Sequence, residues 1–295
     1  MEVEYNSVIK VFISRSTRTR LIKNKIVCSM LVLAVPCVLV PLASIFTYVL
    51  IQGLPGINWD FFTSIPKPVG EAGGGMANAL LGSAMLIFIA FMVGVPWGVG
   101  IGIYLSEYGS SKITGLVRFT TDLLASIPSI VIGLFVYTVL VVPFRGFSAM
   151  AGGIALSIIV IPTVARTTEE LLKMVPNHMR EAGLALGIPR WRVILSIIVK
   201  GSKKGIVTGI ILALARAAGE TAPLLFTSFN NRYWSISFSE PVSAIPVQIF
   251  TYAISPFDDW HQQAWTGALM LVIFVFLING MTRILMRQSR IFSKT

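Results

Sequence analysis

Two pairs of opposite charge interrupt apolar stretches of the sequence, Arg216 with Glu220 and Arg166 with Glu170. The members of each pair are four residues apart, a spacing that places them on one helix face, where they can neutralise each other and hold helices together. A second interpretation is chemical, because a guanidinium keeps its charge and its planar fork of donors matches the oxygens of an oxyanion. Both interpretations stay open here, although Arg before Glu is the weaker order for a helical ion pair.

No pattern in the sequence indicates an enzyme. The chain lacks a GxxxxGK(S/T) phosphate loop and an HExxH zinc motif. Its two histidines, His178 and His261, fall on opposite sides of the membrane predicted below, so they cannot share a site. Cys28 and Cys37 are ~13 Å apart along a helix, which is too far for a disulfide. We therefore expect no ATPase site, no cofactor and no metal on this chain.

The elements that carry these charges are predicted to be membrane-spanning helices. The chain is 55% hydrophobic and 13% charged, about half the charged fraction of a soluble domain. Six apolar segments approach the ~20 residues that a helix needs to cross the hydrocarbon core, namely 26–53, 80–105, 123–142, 147–164 with an extension to 172, 205–228 and 265–281. The sequence therefore predicts an all-α, polytopic integral membrane protein with six transmembrane helices. Arg216 would lie ~16 Å beyond Gly205, near the bilayer centre, where a charge is costly.

Positive charge is distributed unevenly among the segments that connect these helices. Nineteen Lys and Arg residues fall at the two ends of the chain and in alternate connecting segments, against three in the others. This asymmetry predicts that both termini are cytoplasmic. It also accounts for the net charge of +11 without nucleic acid as a partner. The first apolar run is too long for a cleaved signal peptide, so we expect an uncleaved span.

The predicted organisation follows from this topology. Residues 1–25 form a basic cytoplasmic segment, residues 26–287 the six-span transmembrane domain, and residues 288–295 a cytoplasmic tail. Residues 173–204 form a cytoplasmic loop. Residues 229–262 form an extracytoplasmic segment whose aromatic residues are typical of the membrane interface, and a docking surface for an external protein is its second interpretation.

The cytoplasmic loop 173–204 contains the pattern of a short helix. Asn177 is a good N-cap residue, Gly187 suits the position after a helix end, and Pro189 blocks continuation. An apolar stripe runs between them at Met179, Ala182 and Leu186. Such a helix either lies on the inner leaflet, where basic residues interact with membrane lipid, or docks on another protein.

The residues Glu181, Ala182, Gly183 and Gly187 resemble the EAA loop of bacterial ABC-importer permeases. In that family the loop forms a short helix that docks on a separate ATP-binding subunit. The resemblance therefore implies that these four residues couple the chain to an ATPase. The chain departs from the family pattern at Gly183, which replaces an alanine, and at 199–200, where Val-Lys replaces Leu-Pro.

Three further segments resemble the PstA family, the permease subunits of bacterial phosphate importers: ASIPSIVIGL at 125–134, IPTVARTTEE at 161–170 and ARAAGETAPLL at 215–225. The resemblance implies the MetI-like architecture of ABC-importer permeases and inward translocation of inorganic phosphate. It places the chain in the bacterial cytoplasmic (inner) membrane. It also implies that the phosphate path includes three charged residues at motif positions, Arg166, Arg216 and Glu220.

The same resemblance implies a set of partners. They are a second, PstC-like permease, a dimer of PstB-like ATP-binding subunits that carries the ATP and Mg, and a PstS-like extracytoplasmic phosphate-binding protein. Three other functions stay open on the sequence. They are a permease for another oxyanion (sulfate, molybdate or phosphonate), a secondary transporter that works without an ATPase, and a membrane scaffold that uses its buried charges only for assembly.

Overall fold

The computed structural model describes residues 2–68, 71, 73–109 and 112–291, with side chains for 17, 19–68, 71, 73–109 and 112–281. The chain forms two compact units, residues 1–51 and 52–295. All regular structure in the described residues is helical, which confirms the predicted class. The helices are α1 (Glu2–Gly53), α2 (Trp59–Thr63), α3 (Ala77–Glu107), α4 (Lys112–Ser126), α5 (Ser129–Val136), α6 (Val142–Phe144), α7 (Ala149–Lys173), α8 (Asn177–Ala185), α9 (Arg190–Val193), α10 (Lys200–Ala217), α11 (Ala222–Thr227), α12 (Ile245–Ala253) and α13 (Asp258–Ile291).

The first unit is formed by α1, which runs without interruption through the basic segment and the first predicted span. Pro36 and Pro41 lie inside it. Membrane helices tolerate such prolines because other groups can satisfy the backbone acceptors that they release. Of the predicted cytoplasmic tail, residues 292–295 lie outside the described residues.

Four helices in the described residues are long and apolar enough to cross a membrane, Thr19–Gly56, Ala77–Glu107, Ala149–Lys173 and Asp258–Met281. A fifth is added if the bent pair Lys112–Ser126 and Ser129–Phe144 counts as one span. The predicted span 205–228 is divided between α10 and α11, and α10 begins with lysines. The chain is a multi-pass membrane protein, and the count of six spans stays a prediction.

The predicted span 123–142 is sharply bent instead of being one straight helix. α4 ends at Ser126, and α5 begins at Ser129 at an angle of 103° to it. The break lies at Pro128, whose backbone is extended with ψ of 134°. A proline disfavours helical geometry at the residue before it, so Ile127 cannot continue α4. The hydropathy of this segment does not predict the change of direction.

Close packing of α3 against α7 forms the centre of the second unit. Gly94, Gly98 and Gly102 lie four residues apart along α3, and a Cβ on any of them would crowd α7. On Gly102 it would lie 2.6 Å from the carbonyl oxygen of Ala165. Small residues at this spacing let membrane helices approach closely. The two helices therefore form a rigid pair.

The predicted extracytoplasmic segment 229–262 is partly helical. It includes α12 and the start of α13. α12 packs on α3, where Ser83 Oγ accepts a hydrogen bond from the Ile245 amide at 2.8 Å. Tyr252 of α12 stacks on Trp260 with ring centroids 4.7 Å apart, and its burial raises the pKa of the phenol. The segment is thus folded and packs on α3.

Candidate functional site

Arg216 lies in the last turn of α10, and the helix ends before it reaches Glu220. The Gly219 amide donates to the Arg216 carbonyl oxygen at 3.1 Å, and the Glu220 amide to that of Ala217 at 3.1 Å. These are tight turns instead of a continuing helix, because Gly219 is a weak helix former and Pro223, in the first turn of α11, favours the start of a new helix. The expected placement of the two charges on one helix face is therefore wrong.

The structure also shows no ion pair between Arg216 and Glu220 among the residues it describes. Arg216 is exposed and Glu220 is half-buried. The guanidinium instead lies at the C-terminal end of α10, where the helix dipole favours a positive charge. Arg216 is thus an exposed cation at the break between α10 and α11.

The break at 218–221 is supported by close packing of the neighbouring helices. α11 packs on α5, where a Cβ on Gly133 would lie 2.6 Å from Cα of Pro223. Irregular backbone at membrane depth is tolerated where it is buried in protein or lines a water-filled cavity. Transporters use such broken helices to place substrate sites. The C-terminal side of the break is thus packed against α5.

Arg166 does form the helical ion pair that the sequence predicts. Its Nε lies 3.0 Å from Oε1 of Glu170, and its Nη1 lies 3.7 Å from Oδ1 of Asp122 on α4. All three side chains are more than half exposed. An exposed pair of this kind contributes only ~0–1 kcal/mol to stability. The exposed pairs thus contribute little, whereas Nη1 of Arg166 also lies 3.9 Å from Oε2 of the buried Glu169.

A second acidic residue beside this pair, Glu169, was not singled out from the sequence. Its side chain is 1% exposed, and its Oε1 accepts from Arg118 at 2.6 Å and from Lys173 at 2.5 Å. Arg118 belongs to α4, so the contact joins two helices that are far apart in sequence. Spacing within a helix predicts the Lys173 contact, but only the fold reveals Arg118.

Arg166 and Arg216 belong to neighbouring helices without touching. α10 packs on α7, where a Cβ on Gly209 would lie 2.4 Å from Cγ2 of Thr167. Arg216 is seven residues beyond Gly209, so the two guanidinium-bearing residues are separated by roughly 10 Å along the helix axes. The structure thus places two cations at successive depths of one helix pair.

The predicted short helix in the cytoplasmic loop is confirmed as α8, with one change at its start. Pro176 occupies the N-cap position, and Asn177 is the first helical residue. At the other end Gly187 has φ of +74°. Its amide donates to Leu184 at 2.9 Å, and that of Ile188 donates to Gly183 at 3.4 Å. These two bonds are those of a Schellman motif, which glycine favours in this conformation.

The surface of α8 is largely open. Gly183 is its only buried residue, and a Cβ there would lie 2.9 Å from Val193 of α9. Glu181, Ala182 and Gly187 are exposed. The apolar stripe is also exposed, at Met179, Ala182 and Leu186. The helix therefore presents Glu181, Ala182 and its apolar stripe outward, while Gly183 packs against α9.

Comparisons with known proteins agree with this arrangement. Residues 94–291 match the family described as "Binding-protein-dependent transport system inner membrane component". The "Phosphate transport system permease protein PstA" of Yersinia pestis is 48% identical over 240 residues, which cover 81% of each chain. The protein of that name in Pasteurella multocida is 43% identical over 271 residues, 92% of this chain and 96% of that one.

A solved structure shows the same fold. The inward-facing MetNI methionine ABC transporter matches with a TM-score of 0.58 and 19% identity, covering 72% of this chain and 94% of that one. This likeness supports the predicted MetI-like architecture of the chain. Together with the family match and the close relatives, it shows that the chain belongs to the binding-protein-dependent transport system inner membrane components and, within them, to the PstA permeases.

Proposed function

We propose that this chain is the membrane subunit through which an ATP-driven importer moves inorganic phosphate inward. The observation that carries the proposal is its similarity to PstA proteins along most of their length. The charges of the candidate path support an anionic substrate. Arg216 stands at a helix break without a carboxylate partner among the described residues, and a guanidinium binds phosphate oxygens in a bidentate manner.

In the proposed path the anion contacts Arg216 and Arg166 in turn. Arg216 offers phosphate a transient charge-assisted contact near the middle of the membrane. Glu220, which follows the helix break, limits how tightly the anion is held, because a carboxylate close by opposes the binding of a second negative charge. Arg166 receives the anion nearer the cytoplasm, where Glu170 and Asp122 compete for its donors.

The energy is proposed to come from a separate ATPase that docks on α8. The exposed residues Glu181, Ala182 and Gly187 form the contact, while Gly183 seats the helix on α9. The further partners are a PstC-like second permease, PstB-like subunits that hold ATP and Mg, and a PstS-like binding protein. In the bacterial inner membrane, both termini and residues 173–204 face the cytoplasm and residues 229–262 face outside.

Uptake by the reconstituted complex tests this function. Proteoliposomes that contain this chain and its partners should take up labelled phosphate only when ATP is supplied to the nucleotide-binding side. Labelled sulfate in the same vesicles is the control for another oxyanion. Sulfate uptake that exceeds phosphate uptake, or phosphate uptake that does not depend on ATP, would contradict the proposal.

A further inference from the structure

The C-terminal end of α3 holds a buried carboxylate that the proposed path does not use. Glu107 is the last residue of α3, and its side chain is 5% exposed. A helix C-terminus carries partial negative charge, so an acidic residue there is disfavoured by the helix dipole. A buried charge is also costly unless it is paired and hydrogen-bonded. Glu107 therefore requires a strong partner.

That partner is Arg180 of α8, whose guanidinium is 20% exposed. Its Nε lies 3.2 Å from both carboxylate oxygens of Glu107, and its Nη2 lies 2.8 Å from Oε1. Pairs in which two donors meet one carboxylate are the strong and directional ones. The pair joins residues 73 positions apart in the sequence.

Arg180 also binds the end of α7. Its Nη2 donates to the Leu172 carbonyl oxygen at 2.9 Å, and its Nη1 donates to that of Val175 at 2.6 Å. Leu172 lies in the last turn of α7 and Val175 two residues beyond its end, where carbonyl groups lack the usual partners within the helix. One side chain on α8 thus holds the cytoplasmic ends of both helices of the rigid pair.

A second arginine links α9, which follows the turn at Gly187, to the same residue, Glu107. Arg190, the first residue of α9, donates to the backbone carbonyl oxygen of Glu107. Its guanidinium lies over the ring of Tyr108, 4.8 Å from the centroid. Both helices that flank the turn are therefore tied to the end of α3.

From this geometry we infer that Glu107 and Arg180 are positioning residues that transmit movement of α8 to the α3–α7 pair. The inference rests on the proposed docking of the ATPase on α8. α8 is short and largely exposed. Its buried Gly183 packs on Val193 and Ile197, and Arg180 links it directly to α3 and to the end of α7. Because α3 and α7 interlock at Gly94, Gly98 and Gly102, they respond as one body.

The first test measures the number of phosphate ions moved per ATP hydrolysed by the reconstituted complex. In Arg180→Gln the complex should still assemble and hydrolyse ATP, while phosphate moved per ATP falls by about tenfold or more, within the usual range of coupling between sites. Arg180→Lys keeps the charge but loses the fork, and should recover only part of the loss. Arg192→Gln is the matched control, because Arg192 is exposed and lies over Trp191. If Arg180→Gln moves as much phosphate per ATP as the parent complex, the inference is overturned.

The second test does not depend on the substrate. Spin labels at His178 of α8 and Trp97 of α3, both exposed, report the distance between the helices when Cys28 and Cys37 are replaced by alanine. Arg180→Gln should broaden the distance distribution at least about twofold, whereas Arg192→Gln should leave its width unchanged. An unchanged width in Arg180→Gln would overturn the inference.

If the Arg180→Gln complex fails to assemble, a milder substitution tests the same contact. Glu107→Gln keeps the shape and one acceptor oxygen but removes the ionic part of the pair, and it should broaden the same distribution by a smaller factor. If the parent complex takes up no phosphate with ATP, the proposed function fails. The spin-label widths would still decide whether Glu107 and Arg180 fix α8 to α3.

Discussion

The interlocking of α3 and α7 can be tested by adding one methyl group at two glycines of the same helix. Gly102→Ala places a Cβ 2.6 Å from both the Ala165 carbonyl oxygen and Cβ of Thr168, whereas Gly100→Ala meets nothing within 4 Å. Ordinary contact between carbon atoms requires ~3.5–4.0 Å. The helices must therefore separate by close to 1 Å at Gly102 and need not move at Gly100.

The difference between these two variants isolates the packing cost. Both replace glycine by alanine inside a helix, so both gain the same helix propensity of ~1 kcal/mol. Only Gly102→Ala incurs the overpacking cost of ~1–3 kcal/mol, because the Ala165 carbonyl oxygen is a backbone atom and Cβ of Thr168 is fixed to the backbone, so neither can rotate away. We expect the free energy of unfolding of Gly102→Ala to lie ~1–3 kcal/mol below that of Gly100→Ala.

The assay is denaturant unfolding of the purified permease in mixed micelles, followed by phosphate uptake in the assembled complex. Gly98→Ala adds a rescue test, because its Cβ would lie 2.9 Å from Cγ1 of Val164, an atom that Val164→Ala removes. Adding Val164→Ala should restore part of the free energy of unfolding that Gly98→Ala loses, but none of what Gly102→Ala loses. If Gly102→Ala and Gly100→Ala agree within ~0.5 kcal/mol, the size of an ordinary surface change, the packing argument is refuted.

Three other predictions concern the path, the ATPase contact and the topology. Arg216→Lys keeps the charge but loses the planar fork, so phosphate uptake should fall about tenfold or more while assembly is unchanged; uptake at the parent rate would exclude a phosphate contact. Gly187→Leu should weaken co-purification with the ATP-binding subunit, because φ of +74° costs most residues with a Cβ ~1–2 kcal/mol. Gly187→Asn should be tolerated, since asparagine adopts this conformation more readily. Equal co-purification of both variants would contradict the docking role. A cysteine at the exposed Ile236 should react with an impermeant reagent only from outside, and one at His178 only from the cytoplasm, so reversed labelling would refute the topology.

Hydropathy was sufficient to place the apolar helices but not their breaks. The predicted span 80–105 agrees closely with α3, because a long charge-free stretch has no other stable state in a membrane. The Arg216–Glu220 pair was misplaced because the i,i+4 rule assumes a continuous helix. Gly219 and Pro223 mark the break in the sequence and were sufficient to predict it.

Other features of the site depend on tertiary structure to different degrees. The glycine spacing of α3 is visible as GxxxGxxxG, and it predicts close helix packing without identifying α7 as the partner. The Arg180–Glu107 and Arg118–Glu169 contacts join residues 73 and 51 positions apart. No local pattern predicts such pairs, because they depend on where separate helices end.

Helical backbone is continuous from α9 through the π-helical turn Ile194–Val199 into α10, so the whole segment can turn as one lever with its base at α9 and its tip at the end of α10. Arg190 stands at its base and Arg216 near its tip, ~40 Å away by helical rise. A tilt of about 5° at the base displaces the tip by roughly 3 Å. A charge-assisted hydrogen bond exists only over ~2.7–2.9 Å, so this small rotation is enough to make or release one anion contact.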